Sequence, residues 1–158
     1  MTTHSEAYSA KATIRTEPYH FTRYLVPIGR VLFALMFILS APNHFARSTI
    51  DYAAHQGVPA TSILVPIAGI IALIGGLSVA IGLYARVGAL LLALFLIPVT
   101  LWMHAFWNVT DPMQHMMQMI NFLKNVSMLG GALLMMYFGA GPFSVDNRAQ
   151  TAAPKVTP

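Results

Sequence analysis

Four long apolar segments alternate with short polar ones along this chain. The segments cover about residues 24–41, 62–84, 87–106 and 119–138. Each is close to the roughly 20 residues that a helix needs to cross the hydrocarbon core of a bilayer. The pattern therefore predicts an all-α membrane protein, built as a four-transmembrane-helix bundle.

Polar segments flank this predicted membrane domain of residues 24–143. Residues 1–23 lack the charged start followed at once by an apolar run that marks a signal peptide, which favours a cytoplasmic tail. Residues 144–158 are polar and contain alanine and proline, which predicts a disordered tail.

The composition supports a membrane protein. Apolar residues make up 56% of the chain and charged residues only 9%, whereas soluble domains carry about 25% charged residues. The net charge of +4 is spread along the chain, so it predicts no nucleic-acid partner, and the lipid bilayer is the expected partner. The chain has no cysteine, which excludes disulfides and thiol chemistry.

The positive charges predict an orientation. On one side of the four-span arrangement lie Lys11, Arg15, Arg23, Arg86, Arg148 and Lys155. Arg47 is alone in a loop on the other side. Because cytoplasmic loops are enriched in lysine and arginine, both termini are predicted to be cytoplasmic, N-in and C-in.

The fourth segment begins with polar residues inside an apolar stretch. Asn121, Lys124 and Asn125 are spaced i, i+3 and i+4, so they share one face of a helix. An ionisable residue within a span is costly and indicates a functional site. The alternative is a lysine that snorkels to the lipid headgroups.

Polar residues from three segments are predicted to meet at one depth, near the outer face, and to form a ligand site. They are Asn43, His44, His104, Asn121, Lys124 and Asn125. Arg30, near the cytoplasmic end of the first segment, is a seventh candidate, unless it snorkels to lipid phosphates. All five acidic residues lie outside the segments, so the cation of Lys124 needs an amide, a carbonyl, a ligand or a loop acid, Asp51 or Asp111, as its partner.

Small residues recur along one face of the second segment. Ala68, Ala72, Gly76 and Ala80 are spaced by four, with Gly69 and Gly75 beside them. Such a stripe lets a neighbouring helix approach closely. We interpret it as structural.

Several short motifs follow one another in a characteristic order and spacing across residues 24–146. They are Gly29-Arg30, Ser40 to His44, Gly57-Val58-Pro59, Gly69 with Gly75-Gly76, Arg86, His104 to Trp107, Asn121 to Asn125 with Gly130-Gly131, and Gly139 to Asp146. In this the chain resembles the DoxX family of small four-helix bacterial inner-membrane proteins. It departs from that family at Ala72, where many members have a glutamate, so a proton-relay carboxylate cannot be carried over.

The resemblance implies a redox-linked role in the bacterial inner membrane. The chain would be an accessory or assembly subunit of an oxidoreductase system, and its partners would be other membrane or redox proteins, or further copies of itself. No complete catalytic constellation is visible in the sequence.

A quinone-like ligand fits the predicted site. Lys124, His104 and the amides would stabilise the negative charge that develops on a reduced quinone, and His44 or His104 would exchange the proton.

Three other functions stay open at this point. In the first, the chain is an assembly subunit without a ligand, and the polar cluster only fixes the helix register. An oligomer would act as a small-solute or metal transporter, with soft ligands for Cu(I) from Met113, His115, Met116, Met117 and Met119. A haem would be held between His44 and His104.

Overall fold

A computed structural model describes residues 21–152, and within them it contains helices and no strand. The helices are α1 (Leu25–Ser40), α2 (Arg47–His55), α3 (Thr61–Ile81), α4 (Ala85–Met103), α5 (Pro112–Phe138) and α6 (Val145–Ala152), with short 3₁₀ turns at Thr22–Tyr24, Ala41–Phe45 and Phe106–Asn108. Four helices are long and apolar enough to cross a membrane: Thr22–Phe45, Thr61–Ile81, Ala85–Asn108 and Pro112–Phe138, counted with their adjoining turns. The predicted all-α, four-span fold is confirmed. The predicted N-terminal tail lies, up to residue 20, outside the described residues.

Helix α5 begins earlier than the apolar pattern predicts. Most of the stretch before residue 119, which was expected to be a loop, is already helical because Asp111 caps the helix. The Asp111 side chain accepts a hydrogen bond from the Gln114 backbone N–H over 2.8 Å, and Pro112 occupies the first turn, where a missing N–H costs little.

The polar segment 144–158 was expected to be disordered. Its first part instead forms the helix α6, and residues 153–158 lie outside the described part of the chain. The Asp146 carboxylate of α6 accepts hydrogen bonds from the backbone N–H groups of Tyr84, over 2.7 Å, and Ala85, over 3.0 Å. The Asp146 N–H donates in turn to the Gly82 carbonyl over 2.9 Å. These bonds satisfy amides at the start of α4 that have no partner within that helix, so α6 is tied to the α3–α4 turn.

The spanning helices pack in the order α1, α3, α4, α5. Phe37, Val79, Leu92 and Leu96 are central residues of the buried core. The small residues of α3 allow close approach on two sides, as predicted. A Cβ at Gly75 would lie 2.8 Å from Leu92 of α4, and one at Gly76 would lie 3.3 Å from Phe37 of α1.

The fourth side of the bundle, between α1 and α5, is the least tightly packed. Phe33 of α1 bridges it, since a Cβ at Gly131 of α5 would lie 3.0 Å from the Phe33 ring. The two helices therefore meet through a side chain rather than through closely packed backbones.

Candidate functional site

A cavity of about 530 Å³ lies at the end of the bundle opposite the α3–α4 turn. Its walls come from α1, the Ala41–Phe45 turn, α2, α3, α4 and α5, and most of its lining residues are apolar. The polar lining residues are Ser40, His44, Thr49, His104, Lys124 and Asn125. Four of the seven predicted ligand-binding residues, His44, His104, Lys124 and Asn125, therefore line one cavity.

Asn125 is the most informative of these residues. Its side chain is only 6% exposed, it lines the cavity, and it makes no hydrogen bond to any residue within 21–152. Buried polar groups nearly always have a hydrogen-bond partner. The amide of Asn125 is therefore available to form a hydrogen bond with a molecule in the cavity.

Lys124 is half-buried beside it. The ammonium Nζ donates to Asn121 Oδ1 over 3.0 Å, so Asn121, which does not line the cavity, orients the lysine. Neither loop acid covers Lys124: Asp111 caps α5, and Asp51 Oδ1 lies 3.8 Å from Arg47 Nε on the surface. Within the described residues, the side-chain partner of Lys124 is therefore the amide of Asn121 and not a carboxylate.

His44 is fixed by the backbone of its own turn. Its Nδ1 lies 3.1 Å from the Ser40 carbonyl oxygen, and its ring centroid lies 5.6 Å from that of Phe95. A carbonyl oxygen can only accept a hydrogen bond, so Nδ1 carries the hydrogen. The Cβ of His44 lies against Gly69 of α3, since a Cβ at that glycine would be 2.6 Å away.

His104 is held by two residues that sequence reasoning missed, Gln118 and Tyr52. Its Nδ1 lies 2.8 Å from Gln118 Oε1, and Gln118 Nε2 donates to the Tyr52 hydroxyl oxygen over 2.9 Å. The Tyr52 hydroxyl in turn lies 3.5 Å from the Met103 carbonyl oxygen. Gln118 shares a helical face with Asn121 and Asn125, a signal that becomes visible only when α5 is known to start at Pro112.

Asn43 and Arg30 do not belong to the cavity. Asn43 is exposed on the Ala41–Phe45 turn and is not among the lining residues. Arg30 is 4% exposed at the other end of the bundle, where it donates to the carbonyl oxygens of Ala140 and, over 3.1 Å, Phe143. It is therefore buried against the loop that follows α5 and does not snorkel to lipid phosphates.

The residues considered for copper binding are arranged less favourably. Within the described part of the chain, no group of three or more histidine, cysteine, aspartate or glutamate side chains converges. His115 Nδ1 lies 3.2 Å from the Val109 carbonyl oxygen. Met113 and Met117 are more than half exposed, at 66% and 57%. A copper site would thus depend on exposed thioethers.

Comparison with known proteins corrects the expected family. The sequence model of the SURF4 family matches residues 2–151. The chain is also 29% identical over 126 residues to the inner membrane protein YphA of Escherichia coli (strain K12), an alignment that covers 78% of this chain and 89% of that relative. No solved structure matches the chain. The DoxX resemblance is therefore wrong, because glycines at helix contacts and polar residues at helix ends are shared by membrane bundles in general.

Proposed function

The chain belongs to the SURF4 family and is an integral inner-membrane protein, and from this premise we propose that it binds a lipophilic small molecule in the cavity beside Lys124 and Asn125. The observation that carries the proposal is the Asn125 amide, which is buried against the cavity without a hydrogen-bond partner in the described chain. The cavity volume of about 530 Å³ is within the range of small-molecule sites, about 300 to 1,000 Å³.

The lining chemistry defines the ligand class. Lys124 and Asn125 provide N–H donors at one side of a cavity whose other walls are mostly apolar. Such a site favours a molecule with a carbonyl or anionic oxygen at one end and a hydrocarbon body. A quinone belongs to this class, and the donor set is what supports quinone binding. The redox-accessory role followed from the DoxX resemblance and has lost that support.

The bilayer is the natural source of such a ligand. Met36 and Leu94 line the cavity and are also 43% and 57% exposed on the apolar outer surface of the bundle. The cavity lining is thus continuous with the surface that lipid chains cover. At the opposite end, the Arg30 guanidinium is buried against the carbonyl oxygens of Ala140 and Phe143, and this buried cation favours a binding pocket over a transport path through one copy. Association with other membrane proteins, or with further copies of the chain, stays a prediction.

Replacing Asn125 with leucine is expected to weaken ligand binding about tenfold, because the loss of one buried hydrogen bond costs about 1.4 kcal/mol. The purified chain in nanodiscs would be titrated with a decyl-chain quinone and with decanoic acid, as a neutral and an anionic probe. Lys124→Met is expected to weaken the binding of decanoic acid more than that of the quinone, since only the acid carries a full charge.

Asn43→Leu is the matched control, because this asparagine is exposed and outside the cavity. It should bind both probes as tightly as the unmodified chain. Equal affinities for Asn125→Leu and the unmodified chain, or an equal loss in Asn43→Leu, would show that the ligand does not bind in this cavity.

The orientation of the chain is also a proposal. Arg23, Arg86 and Arg148 lie at the end of the bundle that holds the α3–α4 turn, which supports a cytoplasmic location for that end. Because the chain has no cysteine, a single Asp51→Cys change should be labelled by a membrane-impermeant maleimide in intact spheroplasts. Asn147→Cys should be labelled only after permeabilisation, and the reverse pattern would refute the orientation.

A further inference from the structure

Both cavity histidines use Nδ1 to bond to an acceptor of the protein, which leaves Nε2 without a protein partner in the described chain. His44 Nδ1 lies 3.1 Å from the Ser40 carbonyl oxygen, which cannot donate, so a neutral His44 carries its hydrogen on Nδ1. His104 Nδ1 lies 2.8 Å from Gln118 Oε1, while the amide Nε2–H of Gln118 donates to the Tyr52 hydroxyl oxygen. In each neutral ring, Nε2 is then left as a hydrogen-bond acceptor.

These two acceptors have no donor in the described chain. Neither Nε2 atom makes a hydrogen bond within residues 21–152, although both rings line the cavity. A polar atom without a partner is unfavourable in mostly apolar surroundings. The cavity thus combines two acceptors, from His44 and His104, with the N–H donors of Lys124 and Asn125.

We propose that the ligand of this cavity carries a hydroxyl group at its polar end, as a lipophilic phenol or alcohol does. This inference rests on the proposed function, the binding of a lipophilic small molecule in this cavity, and adds a hydrogen-bond donor to the polar end of the ligand. A hydroxyl oxygen accepts a hydrogen bond from Asn125 or Lys124, while its hydrogen is donated to Nε2 of His44 or His104. A ligand with a carbonyl alone satisfies the donors and leaves both imidazoles without a partner.

The same geometry assigns a positioning role to Tyr52 and Gln118. The Tyr52 hydroxyl oxygen accepts a hydrogen bond from Gln118 Nε2, and this bond keeps Gln118 Oε1 directed at His104 Nδ1. These two residues fix the tautomer of His104, and the tautomer decides whether its Nε2 accepts or donates a hydrogen bond in the cavity. His44 needs no such pair, because a backbone carbonyl fixes its tautomer.

The test compares 4-octylphenol with 4-octylanisole, its methyl ether, which has the same body and no O–H. Binding of the tritiated phenol to the full chain in nanodiscs would be measured by scintillation proximity, with empty nanodiscs subtracted and the unlabelled ether as competitor. The phenol should bind up to about tenfold more tightly than the ether, as expected for one buried hydrogen bond. In His44→Leu/His104→Leu the ratio of the phenol affinity to the ether affinity should fall close to one, because the phenol O–H then has no imidazole acceptor.

The outcomes separate the two proposals. Equal binding of phenol and ether to the unmodified chain would overturn the hydroxyl inference and leave the proposed function standing. Binding of neither compound, nor of the quinone or the fatty acid, would overturn the proposed function itself.

Nitrogen-15 NMR of the histidine rings gives a readout that does not depend on the ligand. Both rings should be protonated on Nδ1 in their neutral forms. Tyr52→Phe should change the tautomer balance of His104 and leave that of His44 unaltered. A His104 ring found protonated on Nε2 in the unmodified chain would overturn the assigned positioning role.

Discussion

Arg30→Met is expected to lower the free energy of unfolding by about 3 to 6 kcal/mol, since it removes two hydrogen bonds from a charged group and each contributes about 1.5 to 3 kcal/mol. The guanidinium is 4% exposed and donates to the carbonyl oxygens of Ala140 and Phe143. Methionine would fill similar space and leave both carbonyls without this donor. Thermal unfolding in mild detergent should show a melting temperature lower by more than about 6 °C.

Arg86→Met is the matched control at the same end of the bundle. Arg86 is exposed, and exposed substitutions change stability by about 0.5 kcal/mol or less. Arg30→Lys should lie between the two, because a lysine ammonium lacks the planar fork that serves two carbonyls at once. If Arg30→Met and Arg86→Met had the same melting temperature, the hydrogen bonds of Arg30 would not stabilise the fold.

The four spans could be predicted from the sequence because the bilayer imposes a simple requirement. A helix that crosses hydrocarbon needs about 20 apolar residues, and this length is read directly from the chain. The ends of α5 and the presence of α6 could not be predicted this way. They depend on Asp111 and Asp146, which bond to backbone N–H groups, and only Asp111 acts within its own helix.

The candidate site could be predicted in part. Lys124 and Asn125 were found because their helical spacing is local and their polarity is unusual within a span. The pairing of His104 with Gln118, and of Gln118 with Tyr52, joins three separate helical segments, so no local pattern contains it. The partners of Arg30 are backbone carbonyls, which a sequence does not distinguish from any others.

The two ends of the bundle differ in how their buried polar groups are satisfied. Around Arg30, two guanidinium nitrogens donate to carbonyls of the same chain while Nε has no hydrogen-bond partner within the described residues, and the Asp146 carboxylate of α6 accepts from the first amides of α4. Around the cavity, the Asn125 amide and two imidazole nitrogens have no such partner in the described chain. The first arrangement ties the end of the chain to the bundle through hydrogen bonds within the protein, whereas the second leaves polar groups available to a molecule in the cavity.

Gly69→Ala is expected to abolish ligand binding and to lower the free energy of unfolding by about 1 to 3 kcal/mol, as overpacking does. Its new Cβ would lie 2.6 Å from the Cβ of His44 and 3.1 Å from the Ala41 carbonyl oxygen. Neither atom is the free end of a flexible side chain. The Ala41–Phe45 turn would therefore move away from α3 and carry the His44 imidazole out of place.

Gly130→Ala provides the contrast, since a Cβ there has nothing within 4 Å. It should leave binding unchanged and raise stability by up to about 1 kcal/mol, because alanine favours a helix over glycine. Phenol affinity and melting temperature would be measured on both variants. Should Gly69→Ala bind the phenol as tightly as Gly130→Ala does, the position of His44 against α3 would not control the site. A loss confined to Gly69→Ala would instead connect the close contact between α3 and the turn to the geometry of the cavity.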